Sequence, residues 1–352
     1  MNKVTIHIGL HKTASSYLQQ EVFSRFCNTS LIEYNPSEIL HILIPIMEFQ
    51  CTQSDWINRA KKWFKDWSNT NSGRRLFLSS ESFSQLLYVQ NYSEQVRILE
   101  NIFGKVEIIL FLRNQQDWLL SVYKETLKSG DYQSYSDFLG FSREKNKFIS
   151  QARFNQNSLL TINPNKANWL YLSEILRNSF GDENVHIFFF ENFKLDMNKE
   201  LEKLGQILDC NIPNIKRKKI INVGISNGSI NLLMYLGNLK SFFKVNKGYL
   251  HKKYKFQKKI YGYNKGIEFY LANRNKTFNS NKIYREIIRF LNMFSVYKFL
   301  RFIDRFATEK FINKAIDNNI NEINFLIRKY HKKDNLNLFK QQKIKPIDDY
   351  IK

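Results

Sequence analysis

The sequence predicts an α/β fold: a parallel sheet, P-loop-like in layout, flanked by helices and followed by a helical, basic C-terminal region. Three observations predict it. Short β-rich segments alternate with helical ones through the first two-thirds of the chain, the pattern of βαβ units. Two strands, VEIILFL at 106–112 and VHIFFF at 185–190, are apolar at almost every position, so both of their faces must be covered. After about residue 225 the strand signal stops and the chain becomes helical, basic and aromatic.

In chain order, 4–9 is a strand ending in Gly9, and 17–26 is the helix after it. A second strand is expected at 31–34. Apolar residues at three- and four-residue spacing make 39–67 helical. RLFLSS at 75–80 is a buried strand closed by polar residues, and 94–103 is a helix. Strand 106–112 leads to helix 115–127, helix 167–180 to strand 185–190, and helix 195–208 follows. A closing helix is expected at 318–331, with a frayed tail. These elements divide into a core at 1–235, a basic aromatic insertion or lobe at 236–310, and a C-terminal helix with its tail at 311–352.

Composition narrows the function classes. The 352 residues are 43% hydrophobic and 24% charged, which suits a folded chain with a sizeable core. No apolar run reaches the roughly 18 residues that span a bilayer, and the first residues do not read as a signal peptide. A cytoplasmic location is therefore expected. Three scattered cysteines fit a reducing compartment and show no metal spacing, and no HExxH occurs, so no metal site is expected.

Net charge is +22, and it is concentrated. Residues 240–301 hold 16 Lys and Arg against two acids, Glu268 and Glu286. Such a block attracts polyanions. Within it, 284–306 reads as an amphipathic helix with three roles open: lying on an anionic membrane, binding an acidic glycan or lipid-linked acceptor, or packing its aromatic side on the core. A nucleic-acid partner would need a reading module, and no RRM, KH, zinc-finger or helix-turn-helix pattern is present.

The turn between the first strand and helix carries chemistry. In GLHKTASS at 9–16, helix-start amides, a mobile Lys12 and the hydroxyls of Ser15 and Ser16 make an anion cradle. The ATPase form GxxxxGK[ST] is not matched, and GxGxxG is absent. An ordinary helix capped by Ser15 or Ser16 is the plainer alternative.

The string GLHKTASSYLQ resembles the 5′-phosphosulfate loop of the sulfotransferases that use 3′-phosphoadenosine 5′-phosphosulfate (PAPS), in particular the bacterial carbohydrate sulfotransferases. Ala14 departs from the family's usual glycine, and alanine there is cheap only if the turn avoids positive φ. Arg113, with Ser121 eight residues later, resembles the family's 3′-phosphate motif. FFENF at 189–193 and NVGIS at 222–226 resemble later family segments.

The resemblance implies PAPS as co-substrate, no metal, and a carbohydrate or glycolipid acceptor. It assigns donor binding to Lys12, Thr13, Ala14, Ser15, Ser16, Arg113, Ser121, Asn222 and Ser226. Lys12 would neutralise the leaving group. Glu81, in an SSE segment after a strand, and His11, beside Lys12, are the rival general bases. Glu191 is expected to bond a helix start. The competing classes are a P-loop-like kinase and a non-enzymatic polyanion or nucleic-acid binder.

Overall fold

The structure is a computed structural model, and it describes residues 2–49, 54–87, 92–128, 133–142, 147–148, 153–154, 160–215 and 313–351. The chain forms two compact units. The first comprises Met1–Leu119, Pro164–Val223 and Ile327–Lys352, the second Leu120–Asn163 and Gly224–Leu326.

In the first unit β1 (Lys3–Ile8) leads into α1 (Ser15–Tyr17), a π-helical segment (Leu18–Phe23) and α2 (Ser24–Phe26), which run on without a break. Then come β2 (Ile32–Tyr34), α3 (Ser37–Phe49), α4 (Ser54–Thr70), β3 (Arg75–Ser80), a 3₁₀ turn (Glu81–Leu87), α5 (Tyr92–Phe103) and β4 (Glu107–Leu112). Next is α6 (Gln115–Lys128). The second unit adds α7 (Tyr135–Phe138) and four two-residue strands: β5 (Phe141–Ser142), β6 (Lys147–Phe148), β7 (Arg153–Phe154) and β8 (Leu160–Thr161). The chain continues with α8 (Trp169–Phe180), β9 (Val185–Phe189), α9 (Phe190–Leu195), α10 (Met197–Leu208), α11 (Asn313–Gln341) and α12 (Asp348–Ile351).

Five strands form one parallel sheet in the order β2-β3-β1-β4-β9. Alternate side chains serve opposite faces. Phe77, Ile109, Phe111 and Phe188 face Leu18, Val22 and Phe23 of the first helical segment and Leu201, Leu204 and Leu208 of α10. Their neighbours Ile6, Leu76, Leu78, Ile108 and Leu110 are equally buried on the other face, and α8 packs against β4 and β9. The apolar runs read in the sequence are thus covered twice over.

In the second unit Tyr123, Tyr135 and Phe138 form an aromatic cluster, with the Tyr123 hydroxyl donating to the Gln133 carbonyl at 2.8 Å. The four short strands pair as two antiparallel hairpins.

Three expectations need correction. The stretch read as one helix at 39–67 holds two, α3 and α4; a Ser-Asp pair at 54–55, a helix-starting combination, opens the second. The closing helix is longer than 318–331 at both ends. The tail is not frayed: Tyr350 of α12 is 1% exposed, edge-on to Phe189 and Phe339, with its hydroxyl bonded to Glu191. Burial of one large ring fixes the chain end. The basic block at 240–301 and the amphipathic segment at 284–306 lie outside the described residues.

Candidate functional site

A parallel sheet presents the carboxyl ends of its strands on one edge, where ligands of α/β proteins bind. Here that edge carries the turn after β1, Glu81 after β3, Arg113 after β4 and Glu191 after β9, on four adjacent strands.

The β1 turn is built tightly. The Leu10 carbonyl accepts from Thr13 Oγ1 at 2.7 Å and from Ser15 Oγ at 3.0 Å, and both hydroxyl residues are buried. Gly9 is required by this packing, since a Cβ there would lie 2.9 Å from Ser15 Oγ. Lys12 and Ala14 both stand at φ 66, in the left-handed region. The turn does not avoid positive φ, so alanine at 14 carries strain that glycine would not. Each such residue costs about 1–2 kcal/mol, and strain of this kind gathers at functional sites.

The turn is braced from outside. Trp118 donates its indole N–H to the His11 carbonyl at 2.6 Å, and Arg113 donates to the Lys12 carbonyl at 3.1 Å. Trp169 holds Arg113 in turn by bonding its carbonyl at 2.8 Å. The backbone N–H groups of Thr13, Ala14, Ser15 and Ser16 lie in the turn at 11–14 and at the first residues of α1. The first N–H groups of a helix have no partner within it. The hydroxyls of Thr13 and Ser15 are spent inside the turn, so amides are what this stretch offers an anion.

His11 Nδ1 donates to Glu81 Oε2 at 2.9 Å, and each side chain keeps about a third of its surface. Burial pushes the Glu81 carboxyl up, but His11, by hydrogen bond and charge, together with Lys12 and His7, holds it below the usual carboxylate value. The two rival bases are therefore one pair.

Arg113 lies over the Phe190 ring, 4.9 Å from its centroid, and its buried Nε has no partner among the described residues. Glu191 has one oxygen on the Asn114 backbone N–H at 3.0 Å and the other on the Tyr350 hydroxyl at 2.9 Å. Asn114 caps α6 by accepting from the Gln116 and Asp117 N–H groups, and its amide bonds the Asp349 carbonyl. Glu191 thus bonds a helix start. Burial raises its pKa, against the opposing hydrogen bonds.

The first unit, then, brings together His11, Lys12, Thr13, Ala14, Ser15, Ser16, Glu81 and Arg113. Ser121 belongs to the second unit. Asn222 and Ser226 lie outside the described residues. Among the described residues, no three His, Cys, Asp or Glu side chains are grouped to hold a metal ion, and no helix is long and apolar enough to cross a membrane.

No family model and no curated protein matches the chain. It is similar to a solved sulfotransferase from Alicyclobacillus acidocaldarius. The identity is 12% and the TM-score 0.40, over 69% of this chain and 96% of that one.

Sequence reasoning missed the bracing tryptophans and His7. A buried indole must find an acceptor for its N–H, and Trp118 stands close enough to Arg113 in sequence to raise the question, whereas Trp169 lies 56 residues away. His7 interrupts an apolar strand, VTIHI. It is fully buried, with Nδ1 2.7 Å from Ser79 Oγ, between Phe23 and Phe111. Burial lowers its pKa to about 3, against the pull of Glu81, so it stays neutral.

Proposed function

We propose that the chain is a sulfotransferase that moves a sulfuryl group from PAPS to a hydroxyl of a carbohydrate acceptor, a polysaccharide or a glycolipid. The observation that carries the proposal is the bond from Arg113 to the Lys12 carbonyl, which joins two anion-binding elements at neighbouring strand ends. A strained turn at a helix start suits a 5′-phosphate. A guanidinium with a buried, unsatisfied Nε suits a second phosphate nearby, and PAPS carries phosphates at both positions.

Sulfuryl transfer is an in-line displacement that asks for positioning and charge stabilisation. The amides of Thr13, Ala14, Ser15 and Ser16 hold the 5′-phosphate. Arg113 holds the 3′-phosphate. Lys12 neutralises the charge that grows on the leaving group. Glu81 fixes the His11 tautomer by accepting its Nδ1–H, leaving Nε2 to take the acceptor's proton. Both members of this pair are needed, one as base and one as its orienting partner. No metal takes part, so chelation should leave the rate unchanged.

The test is incubation with isotopically labelled PAPS and a pool of bacterial glycans and glycolipids, read by mass spectrometry. A labelled sulfate ester on a sugar supports the proposal. Unlabelled pools, with a donor that demonstrably binds, would move the reaction to another acceptor class.

A further inference from the structure

Two of the three cysteines stand 183 residues apart in sequence and meet in the fold. Cys27 ends the helical segment after the β1 turn and is fully buried, while Cys210 follows α10 and is half-buried. Their sulfurs are 3.3 Å apart as free thiols. A disulfide needs about 2.0 Å, so only a small approach separates contact from bond.

The place of Cys210 is fixed by the end of α10. Asp209 takes a left-handed φ of 53, and the Cys210 N–H bonds the Gly205 carbonyl at 3.0 Å. Only glycine fits at 205, where a Cβ would lie 2.7 Å from the Cys210 carbonyl oxygen. Asp209 is in turn tied to Arg75 at 2.7 Å and Lys3 at 3.2 Å. Arg75 is almost fully buried and also bonds Glu107 and Thr5.

The same surroundings divide the thiols chemically. The hydrogen bond from Cys27 lowers the Cys210 thiol, burial opposes this, and the Arg75 charge adds to the lowering. The shared bond and burial push Cys27 up. Cys210 is thus the thiolate-prone, accessible member and Cys27 the buried one that keeps its proton, the division of labour of an attacking and a resolving cysteine.

We propose that Cys27 and Cys210 are a disulfide-forming modification site, closed by exchange with a small-molecule disulfide of the glutathione class. Cys210 thiolate attacks one sulfur of the reagent, whose other half leaves as a thiolate. Cys27 gives its proton to that thiolate and attacks Cys210 sulfur of the mixed disulfide, expelling the second thiol. The two cysteines lose two electrons, and the reagent gains them as it becomes two thiols. The new bond ties the helix that follows the candidate site's turn to α10. This site is independent of the proposed sulfotransfer.

The test uses the full chain with Cys51→Ser, so that only the pair remains. The native protein is incubated with oxidised glutathione, alkylated, and read by intact mass and peptide mapping. The expected result is loss of both alkylatable thiols, no retained glutathione, and a peptide pair joined through Cys27 and Cys210. The same exchange in urea should give that link roughly tenfold more slowly or worse, because unfolding removes the high local concentration of one thiol at the other. With Cys27→Ser, a lasting glutathione adduct on Cys210 is expected. Two thiols still alkylatable in the native Cys51→Ser chain, or an adduct that never resolves into the cross-link, would overturn the inference even if the single-cysteine variants fail to fold.

Discussion

Lys12 and Ala14 hold left-handed backbone within three residues of each other, and the hydroxyls of Thr13 and Ser15 are turned inward to keep them there. Such a turn is shaped before any ligand arrives. In the proposed reaction the chemistry rests on Lys12 and on the His11–Glu81 pair, so Lys12→Ala should lower turnover by about 10²–10³ with a smaller effect on donor affinity. Glu81→Gln and His11→Asn should each be severe, since one side chain orients the other. Steady-state rates with a saturating donor check this. A mild phenotype at either member would break the pair into one base and one bystander.

His7 gives a residue-scale test of stability. Its pKa of about 3 in the fold is below the ordinary 6.5, so between those values the unfolded chain binds the extra proton. Stability from this group is complete above 6.5 and is lost as pH falls towards 3. The slope is at most about 1.4 kcal/mol per pH unit. Urea midpoints measured across that window should fall with acidification, and less steeply in His7→Asn. Parallel slopes would mean that His7 is not buried neutral.

Among the elements, most of the sheet was legible because its strands are short apolar runs between polar turns. β3 spans the residues read from sequence, and β4 and β9 fall within a residue of it at one end. The turn after β1 and Arg113 after β4 were legible as residue types at strand ends. Their joining was not, because Trp118 reaches His11 across 107 residues and Arg113 reaches Lys12 across 101. Spacing along the chain carries no trace of such contacts.

The C-terminal element was misread for a related reason. A short polar segment looks frayed until one knows that Glu191 awaits the Tyr350 hydroxyl. Asn335 ties the same residue by donating to its carbonyl at 3.0 Å while pairing with Gln115 at the start of α6. Removing the hydroxyl with Tyr350→Phe should destabilise the first unit by about 1.5–3 kcal/mol, the usual worth of a hydrogen bond to a charged group. Chemical denaturation reads this, and an unchanged midpoint would return α12 to the status of a loose tail.

At the scale of the whole molecule, the charge of +22 asks for an explanation. Under the proposed function, we assign the block at 240–301 to the acceptor side, as a surface for an acidic glycan or an anionic glycolipid. Neutralising half of its Lys and Arg should weaken binding to anionic vesicles or acidic glycans while donor affinity stays as it was. Equal capture of wild type and variant would make the block a solvated surface.

The central claim is that the sheet edge is built for a nucleotide with phosphates at both the 5′ and 3′ positions. Calorimetry with adenosine 3′,5′-bisphosphate and with AMP, no metal added, tests it most directly, because the two ligands differ only in the group assigned to Arg113. The bisphosphate should bind about tenfold to a hundredfold more tightly, the worth of one or more charge-assisted hydrogen bonds. Arg113→Ala should remove most of that preference and leave AMP affinity nearly unchanged. A kinase would instead favour ATP with Mg²⁺. Equal affinity of the wild-type chain for the two ligands would contradict the account.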